Sequence, residues 1–161
     1  MNPTDAPLFL IAGGGDYPGL VIEGARRAGV SRIVMAAFEG ETKPENVPLV
    51  DAVEWMRVGQ MGRLLDAAKK SGAARALMAG QLAPGNLFDL RPDFKALLIL
   101  AKLKRRNAET LFGAVADELA KAGLELLSAT TFLDDHIAPP GPIAGPRLKP
   151  RFAGAPVCCR R

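Results

Sequence analysis

Leu8-Phe9-Leu10-Ile11-Ala12 is an unbroken apolar run that stops at three glycines, Gly13-Gly14-Gly15, with Asp16, Tyr17 and Pro18 behind them. A run that is apolar at every position suits a strand buried on both faces, as the strands of parallel sheets are. The glycines permit a tight turn, and Pro18 is suited to the first turn of a helix. The pattern therefore predicts a strand, a glycine turn and a helix over Pro18 to Ala28, with Gly29 at its carboxyl end and Val21, Ile22 and Ala25 on its inner face.

The rest of the chain continues the alternation. Arg32 to Phe38 is a second apolar, β-branched run, and residues 39–48 are a polar loop with Pro44 and Pro48. Ala52 to Val58 reads as a third strand. Gly62 to Ser71 reads as a helix that turns Leu64, Leu65 and Ala68 inward, and Arg75 to Ala79 as a fourth strand. Gly80 to Leu90 is a loop. Asp93 to about Arg105 is a helix with an acidic start and a basic end, as its dipole prefers. A further helix from Glu109 to Ala122 leads into a fifth strand, Leu124 to Ser128. Strands alternating with helices predict an α/β fold: a Rossmann-like, doubly wound, mostly parallel sheet of about five strands with helices on both faces.

Composition sets the outer limits. Of 161 residues, 48% are hydrophobic and 24% charged, enough for a real core. The longest uncharged run, Ala76 to Phe88, contains Pro84, so no ordinary membrane-spanning helix is expected. The start, Met1-Asn2-Pro3-Thr4-Asp5, has no basic or apolar signal region. The adjacent Cys158 and Cys159 make no disulfide framework, and a cytoplasmic setting is expected. The net charge of +4 belongs to the end of the chain. Five basic residues and no acid follow Ile143, leaving 16 basic against 17 acidic before it, so the body is not a nucleic-acid binder. From Pro139 onward the apolar periodicity stops, and six of the thirteen prolines fall in these last 23 residues. Residues 1–138 are read as one domain, and 139–161 as a Pro- and Arg-rich tail, disordered or produced by a truncation or frameshift.

The glycine turn is the main candidate site. The amino end of a helix offers free N–H groups and a partial positive charge, which suit a phosphate. Ligands of such sheets sit outside the carboxyl ends of the strands. A plain tight turn is the alternative. As a dinucleotide fingerprint the turn is imperfect, since Pro18 stands where the last glycine belongs, although Glu39 is available near the end of the second strand. By topology Gly80 and Gln81, leaving the fourth strand, lie across the switch point from Gly13, Gly14 and Gly15. Gly59 and Gln60 read as a turn that starts a helix. His136 is the only histidine, so neither a metal cluster nor a Ser-His-Asp triad is apparent, and Asp134-Asp135 reads as a solvated pair. The run Lys102 to Arg106 reads as a helix-end surface with a secondary capacity for anionic lipid headgroups. Leu97, Leu98, Leu100 and Ala101 form a stripe that is core or interface.

Taken in order, several stretches resemble the amino-terminal half of the LpxI-type UDP-2,3-diacylglucosamine pyrophosphatases. They are Ile11-Ala-Gly-Gly-Gly with Pro18, Trp55 with Gly59-Gln60, Met78-Ala79-Gly80, Leu87-Phe88-Asp89-Leu90-Arg91-Pro92-Asp93, and Ala129-Thr130-Thr131-Phe132-Leu133. The similarity spans about residues 8–137. It implies a hydrolase of lipid A synthesis in Gram-negative bacteria that splits UDP-2,3-diacylglucosamine into 2,3-diacylglucosamine 1-phosphate and UMP with Mg²⁺. It also implies two domains with the ligand between them, the key acidic groups lying in the carboxyl-terminal one. That second domain is absent from the sequence. Arg106-Asn107-Ala108-Glu109 departs from the family's Gly-Asp-Asp-like helix start, and no basic residue follows Gln81 in Leu82-Ala83-Pro84.

The expected substrate-binding residues are therefore Gly13, Gly14, Gly15, Gly80 and Gln81, with no catalytic residue and no metal ligand in this chain. UDP-2,3-diacylglucosamine or a related sugar nucleotide is the expected partner. Peripheral contact with the inner-membrane surface and a homodimer are further partners this reading allows. An NAD(P)- or nucleotide-binding module and a non-catalytic interaction domain stand as alternatives.

Overall fold

The computed structural model describes residues 6–82, 93–102 and 108–137. Residues 83–92, 103–107 and 138–161 lie outside the described residues, and with them most of the loop after Gly80, Lys104, Arg105 and Arg106 of the basic run, and the tail. Strands β1 (Leu8–Ala12), β2 (Ile33–Phe38), β3 (Ala52–Met56), β4 (Arg75–Ala79) and β5 (Glu125–Leu126) form one sheet in the order β3-β2-β1-β4-β5. Every pairing is parallel. This is an α/β, Rossmann-like sheet with its switch point between β1 and β4.

The two faces of the sheet are separate cores. On one, Leu8, Leu10 and Ala12 of β1 and Ile33, Met35 and Ala37 of β2 pack under helix α1 (Tyr17–Arg27) through Val21, Ile22 and Ala25. On the other, Phe9, Ile11, Val34, Ala36 and Phe38 meet Leu64, Leu65 and Ala68 of α2 (Met61–Ser71). Helices α3 (Phe94–Lys102) and α4 (Ala108–Lys121) join that second face through Ala96 and Leu119. The period-2 alternation of β1 and β2 is thus apolar on both phases, because both faces are covered. The crossover from β3 back to β4 reverses direction. Right-handed connections then require it to use the opposite face from α1, where α2 lies.

The elements differ from expectation chiefly at their ends. The loop after β2 contains a short 3-10 helix, Pro44–Leu49, that the prolines concealed. β3 ends at Met56 instead of Val58. There Gln60 folds back so that its Oε1 accepts the N–H of Arg57 at 2.8 Å, which confirms Gly59-Gln60 as a turn starting α2. β5 is two residues long instead of five, since the chain turns off the edge at Ser128, whose carbonyl accepts the N–H of Thr131. α3 begins one residue after Asp93. That carboxylate accepts the N–H of Ala96 at 2.8 Å and the N–H of Gly62 at 2.6 Å, so one side chain caps α3 and ties it to the first turn of α2. Asp93→Ala should lower stability by about 1–2 kcal/mol, read as a fall in denaturation midpoint at unchanged slope. A midpoint equal to wild type would rule out the double cap.

Beyond β5 the chain returns along α1. Tyr17 donates its hydroxyl to the carbonyl of Ala129, Leu133 is buried beside Val21 and Ile22, and Arg27 pairs with Asp135. This strap takes the place of a second helix on the α1 face. It also settles Asp134-Asp135: Asp135 is an ion-pair partner, and both acids sit with His136 in an exposed 3-10 turn. At the edge beside β3, Asp51 accepts the N–H of Ile33 and the guanidinium of Arg26, both at 2.7 Å, and these bonds hold its carboxyl below the usual aspartate range. Phe94, Leu97, Leu98 and Phe112 are exposed, Phe94 to 76%. Within the described residues, no helix is long and apolar enough to cross a membrane.

Candidate functional site

The carboxyl ends of β1 and β4 carry the candidate residues, and the parallel register sets Ala12 opposite Ala79. The two loops leaving those residues meet directly. Gly13 donates its N–H to the carbonyl of Ala79 at 2.7 Å. Gly14 and Gln81 then exchange both backbone hydrogen bonds, at 2.7 and 3.2 Å, as an isolated antiparallel bridge. All five expected residues therefore lie at the switch point, but not equivalently. Gly13 and Gly14 are buried, whereas Gly15, Gly80 and Gln81 are exposed.

Their chemistry follows from this contact. A Cβ at Gly13 would sit 2.7 Å from the carbonyl oxygen of Gln81, and one at Gly80 would sit 2.6 Å from that of Gly14. Gly80 also holds φ +93°, a conformation side chains disfavour. These two glycines let one loop cross the other at backbone distance. Gly15 is different: it has φ +86° and open space around it, immediately before α1. It is the member of the triplet whose surroundings a ligand can occupy.

A third loop completes the crest. Thr42, buried, accepts the N–H of Phe38 at 2.8 Å and donates its hydroxyl to the carbonyl of Ala12 at 2.5 Å. One hydroxyl thus joins the ends of β1 and β2 and presents Lys43 beside the amino end of α1. Asp16 stands at the N-cap of that helix, yet its side chain makes no capping bond. It accepts instead from Lys43 Nζ at 2.5 Å. That hydrogen bond lowers the Asp16 carboxyl below the usual range and raises the Lys43 ammonium above its own. Asn46, on the following 3-10 turn, is buried against α1, its Oδ1 lying 3.1 Å from where a Gly19 Cβ would be. Nothing in the sequence distinguished Thr42, Lys43 or Asn46 from ordinary loop residues, because their importance comes from a contact with α1 and β1.

Glu39, the acid available for a ribose, accepts from Arg57 Nε at 3.0 Å. The first helical turn, with Pro18 buried at its second position, keeps the departure from a dinucleotide fingerprint. Among the described residues no three His, Cys, Asp or Glu side chains converge as a metal ion would require. Of the acids near the crest, Asp16 and Glu39 are each paired with a cation. What the crest can do is hold an anion with backbone N–H groups, a helix end and a lysine.

The model of the LpxI N-terminal domain family matches residues 7–136, most of the chain. No curated protein matches it as a relative. The match spans β1 through the strap, so it includes the whole crest, and it connects the chain with lipid A precursor processing. A matched stretch this long, on the expected parallel sheet, means that the chain belongs to the LpxI N-terminal domain family.

Proposed function

We propose that this chain is the sugar-nucleotide-gripping half of a UDP-2,3-diacylglucosamine pyrophosphatase, an enzyme that releases UMP and 2,3-diacylglucosamine 1-phosphate. The observation that carries this reading is the open turn at Gly15, set before α1 at the switch point of a chain of this family. A diphosphate lying there would meet the helix's positive end and Lys43, while Gly80 and Gln81 form the opposite lip.

Gripping is not hydrolysis. Splitting a diphosphate with water needs an oriented nucleophile and neutralised phosphoryl oxygens, commonly through metal-held carboxylates. The crest supplies charge and position but, among the described residues, no such cluster, and in keeping with a two-domain enzyme we place Mg²⁺ and the hydrolytic acids in a carboxyl-terminal domain. The purified chain, given UDP-2,3-diacylglucosamine and Mg²⁺, should bind a UDP-sugar saturably and release no UMP above the rate without protein. Calorimetry and chromatography of UMP check the two halves. Turnover would show that the hydrolytic groups are in this chain, and absence of UDP-sugar binding would remove the gripping role.

A further inference from the structure

We propose that the outward side of α3 docks on an anionic phospholipid bilayer and lies along its surface, with Phe94, Leu97 and Leu98 inserted among the lipids. The inference goes beyond the sugar-nucleotide reading and does not depend on it, since it needs no ligand at the crest.

The first observation is an apolar stripe turned to solvent. α3 is held to the body by its inner side, where Ala96 is buried and Ile99 packs on the core shared with α2. Phe94, Leu97, Leu98 and Ala101 stand at i, i+3, i+4 and i+7, which is one side of a helix. All four are exposed, Phe94 to 76%, Leu97 to 50% and Leu98 to 47%. The stripe that the sequence leaves as core or interface is thus turned outward at Leu97, Leu98 and Ala101. α4, which covers the same face of the sheet, adds Phe112 at 50% exposure. A helix on the surface of a domain ordinarily carries polar groups on this side. Single exposed leucines are common, but a grouped aromatic and aliphatic stripe marks a surface that meets something apolar.

The second observation is charge. From Phe94 to Ala108 the chain has five cations, Lys95, Lys102, Lys104, Arg105 and Arg106, and no acid. The rest of residues 1–143 has 11 basic residues against 17 acidic ones. The body is therefore acidic everywhere but along the stretch that carries the stripe. Lys95 is exposed beside the stripe, and Lys102 ends the helix two turns later. An acidic protein would answer the cations and leave Phe94 and the leucines wet, while a neutral apolar partner would do the reverse. A bilayer with anionic headgroups answers both, with hydrocarbon for the stripe and phosphate for the ammonium groups. A lysine at the margin of such a stripe lays its alkyl stem on the apolar surface and keeps its charge at headgroup level. Length decides the mode of contact. Nine residues of helix span about 14 Å, less than half the hydrocarbon thickness of a bilayer, so α3 lies on the membrane and does not cross it.

The test uses the whole chain, without nucleotide. It is sedimented with large vesicles of phosphatidylcholine alone and of an equal mixture of phosphatidylcholine and phosphatidylglycerol, at low and at high sodium chloride. The protein should bind the mixed vesicles, lose about tenfold in affinity at high salt, and leave phosphatidylcholine vesicles bare. The double variant Phe94→Gln/Leu98→Gln should bind the mixed vesicles about tenfold more weakly or worse, and Lys95→Gln about fivefold more weakly. Both variants should melt with the wild type, since the three side chains are exposed. Absence of binding to the mixed vesicles overturns the proposal, as does wild-type binding by the double variant. Equal binding to phosphatidylcholine alone removes the anionic lipid from it. A wild-type dimer that the double variant dissolves and that vesicles do not disturb gives the face to a second copy of the chain, and the proposal falls.

Discussion

Gly24→Ala should destabilise the protein by about 3 kcal/mol, although alanine is the better helix former. Gly24 lies inside α1, where the exchange would ordinarily gain up to about 1 kcal/mol. The strap reverses the sign. A Cβ at this position would stand 1.9 Å from the carbonyl oxygen of Phe132 and 2.9 Å from its carbon. No rotamer relieves a clash with backbone on both sides, so either α1 or the strap must move. Phe132 has little room to yield. It already holds φ 72°, a left-handed conformation that costs a side-chain-bearing residue roughly 1–2 kcal/mol. Displacing it would also withdraw Leu133 from the core beside Val21. For a chain of this size, 3 kcal/mol corresponds to a fall in melting temperature of about 6–12 °C. Gly113→Ala is the internal control. It too is helical, nothing lies within 4 Å of its Cβ, and it should melt at or slightly above wild type. A Gly24→Ala protein that melts with that control would mean the strap is not seated on α1.

Gly80→Ala should cost about 2–4 kcal/mol, and it should also cost binding. The added methyl meets two obstacles. The φ of +93° is strained for alanine, and its Cβ would lie 2.6 Å from the Gly14 carbonyl oxygen and 2.9 Å from the Gly13 carbonyl carbon. The Gly14–Gln81 bridge must open to admit it. Because that bridge sets where the triplet lies relative to α1, UDP-sugar affinity should drop by more than the loss of fold accounts for. Calorimetry at a temperature where the variant is still folded separates the two effects. Gln81→Ala is the contrast. It keeps the backbone bridge and removes only an exposed side chain, so it should leave stability within about 0.5 kcal/mol of wild type. Unchanged stability in Gly80→Ala would show that the loops do not cross at backbone distance.

The local signals in the chain were legible because burial and backbone tolerance are written residue by residue. The unbroken apolar runs of β1 and β2 announced strands covered on both faces. The spacing of Val21, Ile22 and Ala25, and of Leu64, Leu65 and Ala68, marked the inner faces of α1 and α2. Even the approach of Gly80 to the triplet followed from the order of crossovers. What was not legible lies between segments far apart in sequence. Gly13 and Gly80 read as ligand-facing glycines, yet two loops crossing accounts for both, and Gly15 alone among the triplet opens outward. Asp93 read as an ordinary helix start, but it also caps the turn at Gly62. The strap carries no periodicity because it is irregular up to the short 3-10 turn Asp134–His136. Its place was decided by Gly24, a residue with nothing to show until another backbone lies on it.

The sequence by itself determined which stretches are strands and helices and which faces they bury, since the removal of apolar side chains from water depends on their periodic spacing alone. The tertiary structure alone decided which polar groups meet at the crest. A hydroxyl, an ammonium or a carboxylate acquires its partner only when the crossovers bring separate loops to one end of the sheet. Thr42, Lys43 and Asn46 owe their roles to that arrangement.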